Sequence, residues 1–294
     1  MRVMIIDAHT HLWNRQNGFV DGRAVTALKN GLSDFGGEIR QMMPPYMVNG
    51  ANTADMLIAN MDYACVNGAV ITQEEIDGNQ DEYLLKAKAQ YPNRLKICSL
   101  YEENKPFKTD GFDGIKICAG RLKTQDLTKH YKVFEAAAGN DLFISVDMAD
   151  GDLQTGSLLE MIKQYPDLRI AIGHFGMVTR KGWEEQIKLA RHKNVFIESG
   201  GITWLFNSEF YPYPSAVRAI LRAAEICGFD KLMWGSDYPR TMVEITYKMS
   251  YDFILRSNEL SASDQDKFFY LNAKRFYRFG AFQQIMPVGN MLED

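Results

Sequence analysis

Short apolar runs of strand length recur along the chain, separated by longer segments whose apolar residues fall at helical spacing. That alternation is the pattern of repeated βα units around a parallel sheet. Eight runs stand out, at 3–7, 68–72, 95–99, 114–117, 142–146, 169–173, 195–198 and 231–235. Eight predicts a closed (β/α)8 TIM barrel. An open doubly wound sheet ranks lower, because no glycine-rich phosphate loop follows the first run. The helices between runs carry the expected punctuation. Residues 54–67 follow an N-cap at Asn52 or Thr53 and stop at Gly68. In 215–227, Val217, Ile220, Leu221 and Ala224 share one face and Gly228 ends the segment. The link at 102–111 is short and turn-like, so one helix is expected to be missing or shrunken there.

Two stretches break the rhythm. Residues 13–50, rich in Gly, Met and Asn with Pro44-Pro45, read as a long loop after the first strand carrying one short helix. In 261–280, Phe268, Phe269, Leu271, Phe276 and Phe279 among polar residues predict a C-terminal helical cap. The expectation is one domain over 1–280 with a loose tail at 281–294.

Composition narrows the function classes. With 294 residues, 46% hydrophobic and 24% charged, the chain can bury a large core without disulfide or metal staples. A formal charge of -4 and the lack of any Lys/Arg run give no basic field, so nucleic acid is not an expected partner. The amino-terminal apolar run is four residues long and ends at Asp7, too short for a signal segment. No window of eighteen apolar residues exists to span a bilayer, so a cytoplasmic protein with no membrane partner is expected. Cys65, Cys98, Cys118 and Cys227 are scattered without a CxxC pair, so neither structural zinc nor a disulfide is predicted.

Barrel enzymes carry their chemistry at the carboxyl ends of the strands. His9 and His11 follow the first run and, two residues apart, face the same way, sharing parity with Val3, Ile5 and Asp7. If that parity faces the lumen, they form a natural metal-ligand pair; otherwise they are structural histidines. Asp237 follows the eighth run, which in a closed barrel adjoins the first. It is then a third ligand or the general base for water, unless it merely caps a turn. His174, in GHFG after the sixth run, is a metal ligand, a proton donor or an electrophile. His130 and His192 lie in predicted helices and are read as structural. Lys116 sits in an apolar strand where an unpaired charge is costly, so it should point into the site. There it would hold a substrate carboxylate, stabilise an oxyanion or, least supported, ligate metal after carbamylation. Arg240 is a second anion clamp or a surface charge, and Glu198 is catalytic or pairs with Lys116. Trp13, Tyr46, Trp204 and Tyr238 would wall a pocket, with Trp13 assigned to substrate.

Taken together, IIDAHTHLW, GIKI, PDLRIAIGHFG and LMWGSDYP resemble, in order and spacing, the amidohydrolase superfamily, specifically its amidohydrolase-related branch, over residues 5–280. That branch includes metal-dependent hydrolases, decarboxylases of the aminocarboxymuconate-semialdehyde and resorcylate type, and lactonases acting on pyrone-dicarboxylate or sugar lactones. The resemblance implies metal or substrate roles for His9 and His11, a substrate or proton-transfer role for His174, and a ligand or base role for Asp237. One departure is visible. Metal-binding relatives present a His at the end of strand five, where this chain reads LFISVDMAD, so Asp147 or nothing replaces it.

The expected function is therefore that of a hydrolase opening a lactone or related bond of a small carboxylated or sugar-derived substrate, with zinc or manganese as the expected cofactor and a metal-free site as the alternative left open by the missing strand-five His. A non-oxidative decarboxylase and a non-catalytic barrel are the alternatives. A homodimer and a monomer are both compatible with the sequence.

Overall fold

The computed structural model describes residues 3–289. Its centre is an eight-stranded parallel sheet in simple sequential order. The strands are β1 (Ile6–Thr10), β2 (Gly68–Ile71), β3 (Leu95–Tyr101), β4 (Gly114–Ile117), β5 (Phe143–Val146), β6 (Ile170–Ile172), β7 (Val195–Glu198) and β8 (Leu232–Met233). The sheet closes on itself above the short β8. There Ala8 N donates to Trp234 O at 2.9 Å, Asp237 N to His9 O at 2.9 Å and His11 N to Tyr238 O at 2.8 Å. Below that point the carboxyl-terminal helical segment substitutes for the missing length of strand, since Asn272 Nδ2 donates to Leu232 O and Trp234 N to Phe268 O. This is a (β/α)8 barrel, and the link between β3 and β4 is helix-free, as its composition predicts.

Strand parity divides the core. Ile6, Val70, Cys98, Phe143, Ala171, Phe196 and Met233 face the lumen, closed from below by Tyr270, Phe276, Tyr277 and Phe279 of the helical cap. The alternate positions, such as Ile71, Ile97, Ile115, Ile144 and Ile197, pack outward in the larger cluster beneath the helices.

Three expectations are corrected. First, β1 begins at Ile6, so His9 lies within the strand, and the parity argument fails: Ile5 belongs to the outer cluster while Ile6 and Ala8 belong to the lumen. The β1–β2 register shifts between Asp7 and Thr10, an irregularity that re-aims the following side chains inward. Second, residues 13–50 hold no helix. They form a four-stranded antiparallel sheet of Phe19–Val20, Arg23–Ala27, Leu32–Phe35 and Ile39–Gln41. Its first two turns place Asp21-Gly22 and Asn30-Gly31 at positive φ, the Asp-Gly and Asn-Gly chemistry of tight hairpins. Third, the start of the tail is docked: Phe282 packs on Phe279, and Gln283 O accepts from Asn67 Nδ2. Of the tail, 290–294 lie outside the described residues. The four cysteines are free thiols. Among the described residues no helix is long and apolar enough to cross a membrane.

Candidate active site

At the carboxyl end of the lumen seven titratable side chains converge from six strands. His9 Nδ1 lies 2.6 Å from Glu198 Oε1, at the end of β7. An imidazole donating from Nδ1 to a carboxylate presents its Nε2 lone pair outward, the arrangement that orients histidine ligands in metal sites. His9 Nε2 in turn lies 3.1 Å from His11 Nε2, and His11 Nε2 is 2.8 Å from Asp237 Oδ1. His9 Nε2 and the same oxygen are 3.8 Å apart. Donor atoms about 2.0–2.2 Å from one ion sit about 3 Å from each other, so His9, His11 and Asp237 fit a divalent cation. His9, Asp147 and His174 form a second set of donor atoms of similar compactness.

The local chain explains these placements. Asp237 and His174 occupy the left-handed region, with φ of 61° and 55°, conformations that are costly for non-glycine residues and that cluster at functional sites. Glycines admit the carboxylates: a Cβ on Gly173 would lie 2.1 Å from Asp147 Oδ1, and one on Gly235 would lie 2.8 Å from both His9 Cβ and Glu198 Oε2. Asp237 is pinned from both sides, since Trp204 Nε1 donates to its Oδ2 at 2.7 Å. Burial pushes its carboxyl up, but His11, Arg240 and His174 more than reverse this and hold it well below the usual carboxylate range. Burial likewise pushes His174 down, and Asp147, Asp237 and Glu198 overturn that and raise it to about 10. His174 Nδ1 donates to Gly200 O at 2.8 Å, leaving Nε2 directed at Asp147 Oδ2, 3.4 Å away. Burial and the nearby Arg240 cation lower His11, favouring its neutral form.

Other predicted residues take different places. Lys116 is fully buried and pairs with Asp147 Oδ2 at 2.6 Å, not with Glu198, which belongs to His9. Burial pushes the ammonium down, but Asp147 reverses the direction and keeps it charged. It does not line the cavity, so the structure does not present it to a substrate carboxylate. Trp13 is corrected as well: it is fully buried, donates from Nε1 to Gly50 O and packs under Arg240. Tyr238 is buried and Tyr46 exposed, so of the four predicted wall aromatics only Trp204 lines the cavity. His130 is structural, bridging Tyr101 OH and Thr124 O. Asp147 points inward, and its Oδ1 has no hydrogen-bond partner.

The sequence reading missed Glu74 and Asp77. They follow β2 at a strand's carboxyl end in a run of acids, which was the available signal. Both bind Arg240, whose Nη2 lies 2.8 Å from Asp77 Oδ1 and 3.1 Å from Glu74 Oε2. Asp77 Oδ2 also lies 3.7 Å from His11 Nδ1. Above these groups opens a cavity of about 900 Å³. The antiparallel insertion contributes Asp21, Arg40, Gln41 and Met42 to its wall.

Comparison with known proteins agrees with this architecture. Over 136 residues the chain is 27% identical to the uncharacterized protein y4mH of Sinorhizobium fredii; that match covers 42% of this chain and spans 44% of the relative's length. The structure superposes on an amidohydrolase from Burkholderia multivorans with bound zinc at a TM-score of 0.69 and 14% identity, covering 94% of this chain and 100% of that one. It superposes on a probable 2-pyrone-4,6-dicarboxylic acid hydrolase from Acinetobacter baumannii, crystallised with citric acid bound, at a TM-score of 0.66 and 18% identity, covering 94% and 99%. At these identities the structural likeness carries the fold. The sequence profile of the amidohydrolase family matches residues 6–279, nearly the whole barrel, and the chain therefore belongs to the amidohydrolase family.

Proposed function

We propose that this protein opens the ring of a small lactone by attack of water, with Asp237 as the base. The observation carrying this reading is the convergence of His9, His11 and Asp237, with His9 oriented from behind by Glu198. A divalent cation, zinc or manganese, held by His9, His11 and Asp237 would supply stabilisation for the negative charge that develops on the carbonyl oxygen.

The protein's own groups account for the proton movements. Asp237 enters ionised. Each of its oxygens has two lone pairs, so it holds Trp204 and still accepts a proton from water. The water oxygen bonds to the lactone carbonyl carbon, and the bond from that carbon to the ring oxygen breaks. His174, whose Nε2 is directed away from its Gly200 anchor, delivers a proton to the departing alkoxide.

The charges around the cavity favour a hydroxylated lactone over a dicarboxylate. Its wall carries the acids Asp21, Glu74, Asp147, Asp150, Asp237 and Glu244. Against them stand Arg240, tied to Asp77 and Glu74; Arg40, tied to Glu38; and Arg121, 3.6 Å from Glu74. No arginine of this wall is free of a carboxylate, so none is left to hold the two carboxylates of a dicarboxylate substrate.

The test is elemental analysis of protein purified without chelator, with ring opening of neutral sugar lactones and of a pyrone dicarboxylate followed before and after metal stripping. About one equivalent of zinc or manganese, and turnover of neutral lactones lost on stripping, is the expected result. Turnover of the dicarboxylate alone would overturn the substrate class. Carbon dioxide release from hydroxybenzoates without lactone opening would replace hydrolysis by decarboxylation.

A further inference from the structure

We infer that Trp204 is a positioning residue for Asp237, fixing the rotation of the carboxylate so that Oδ1 alone is presented to His9 and His11. The terminal torsion of an aspartate is broad and roughly two-fold, so a carboxylate held at one oxygen only is free to swing. Here the second oxygen is held by the Trp204 indole N–H at 2.7 Å, while Oδ1 stays 2.8 Å from His11 Nε2.

Trp204 reaches Asp237 from a different strand, on the four-residue helix Ile202–Leu205 that follows β7. Two further features serve this reach. Gly201 precedes the helix at φ +68, and a Cβ there would lie 1.8 Å from the indole Nε1, so the glycine is required for the tryptophan to take its place. Next to it, Thr203 Oγ1 and Thr241 Oγ1 lie 3.3 Å apart, a second tie between the loop after β7 and the loop after β8. The indole also walls the cavity beside His174 and Asp237 and lies 5.8 Å from the His174 ring. Removing the N–H would leave an oxygen of the buried Asp237 carboxylate without its donor. Such outer partners typically change cation affinity or activity by about 10–100-fold.

The inference rests on Asp237 being the working carboxylate of the proposed reaction, so its test reads the residue pair directly. The full chain, with its indoles 15N-labelled, gives one N–H signal for each of four tryptophans. The Trp204 signal, assigned by its loss in Trp204→Phe, is expected to exchange slowly with water and to move in Asp237→Asn. Stripped Trp204→Phe, which keeps the ring and deletes the donor, is expected to bind Co2+ about 10–100-fold more weakly, with a changed visible spectrum and kcat falling more than KM. Gly201→Ala, which displaces the indole instead of removing it, should reproduce the weakening if Trp204→Phe fails to fold. Wild-type Co2+ affinity and spectrum in a folded Trp204→Phe, or a Trp204 signal indifferent to Asp237→Asn, would overturn the assignment. A protein that opens no lactone yet shows both effects would refute the reaction and leave the positioning role standing.

Discussion

The two ends of the barrel lumen are built from the same strands and do opposite work. Phe143 opens β5 and Asp147 is the first residue after it, four residues on and on the same inward parity. Phe143 packs edge-to-face on Tyr277 in the floor at 4.8 Å, whereas Asp147 meets Lys116 and His174 at the mouth. The floor is aromatic, with Phe196 and Phe276 at 5.0 Å, and it excludes water beneath the site. The mouth concentrates His9, His11, Lys116, Asp147, His174, Glu198 and Asp237. Charges above a dry floor act through a lower effective dielectric than they would in water, so a pair such as Lys116–Asp147 is costly to break although it adds little net stability. One end is therefore apolar and packed and the other gathers titratable groups, the division expected of this barrel if the mouth does the proposed chemistry.

Substitutions at the two ends should separate these roles. The largest effect is expected of Asp237→Asn, which should lower lactone turnover by about 10³-fold while leaving the denaturation midpoint nearly unchanged; near-normal turnover would remove Asp237 from the role of base. At the floor, Phe276→Ala should cost about 3–5 kcal/mol in chemical unfolding, with turnover per folded molecule preserved. A loss of turnover there without a loss of stability would erase the contrast between the ends. Glu198→Gln, which weakens the hold on His9, should reduce cation affinity by about 10–100-fold in a competition titration. Least is expected of Arg40→Ala on the antiparallel insertion, where the exposed pair with Glu38 predicts a KM change of at most about fivefold. A larger change would bring Arg40 into substrate recognition and revive the carboxylated substrates.

Much of this molecule is legible in the order of its residues. The eight runs, the helix-free link before β4, the helical cap and the end of the barrel where the titratable side chains gather all follow from local periodicity and strand-end position. Asp21-Gly22 and Asn30-Gly31 are equally legible as hairpin turns, and reading 13–50 by its Gly, Met and Asn content and Pro44-Pro45 as a loop obscures them. The partners of the charges were not legible. Lys116 and Glu198 were natural candidates for each other, and only the closed barrel shows Asp147 beside the lysine and His9 beside the glutamate. Nor does alternation alone aim His9 and His11, because the register shift after Asp7 is set by pairing with β2.

The sequence by itself determined the type of element and the list of chemically capable side chains, since both depend on residues a few positions apart. Only the tertiary structure decided which of those side chains meet. Trp204 and Asp237, and Arg240 and Asp77, lie on the loops of different strands, and His9 and Glu198 lie within two of the strands; barrel closure brings each pair within hydrogen-bond distance. Away from bulk water each buried charge must find its counterpart across the barrel, and no local pattern along the chain encodes that choice.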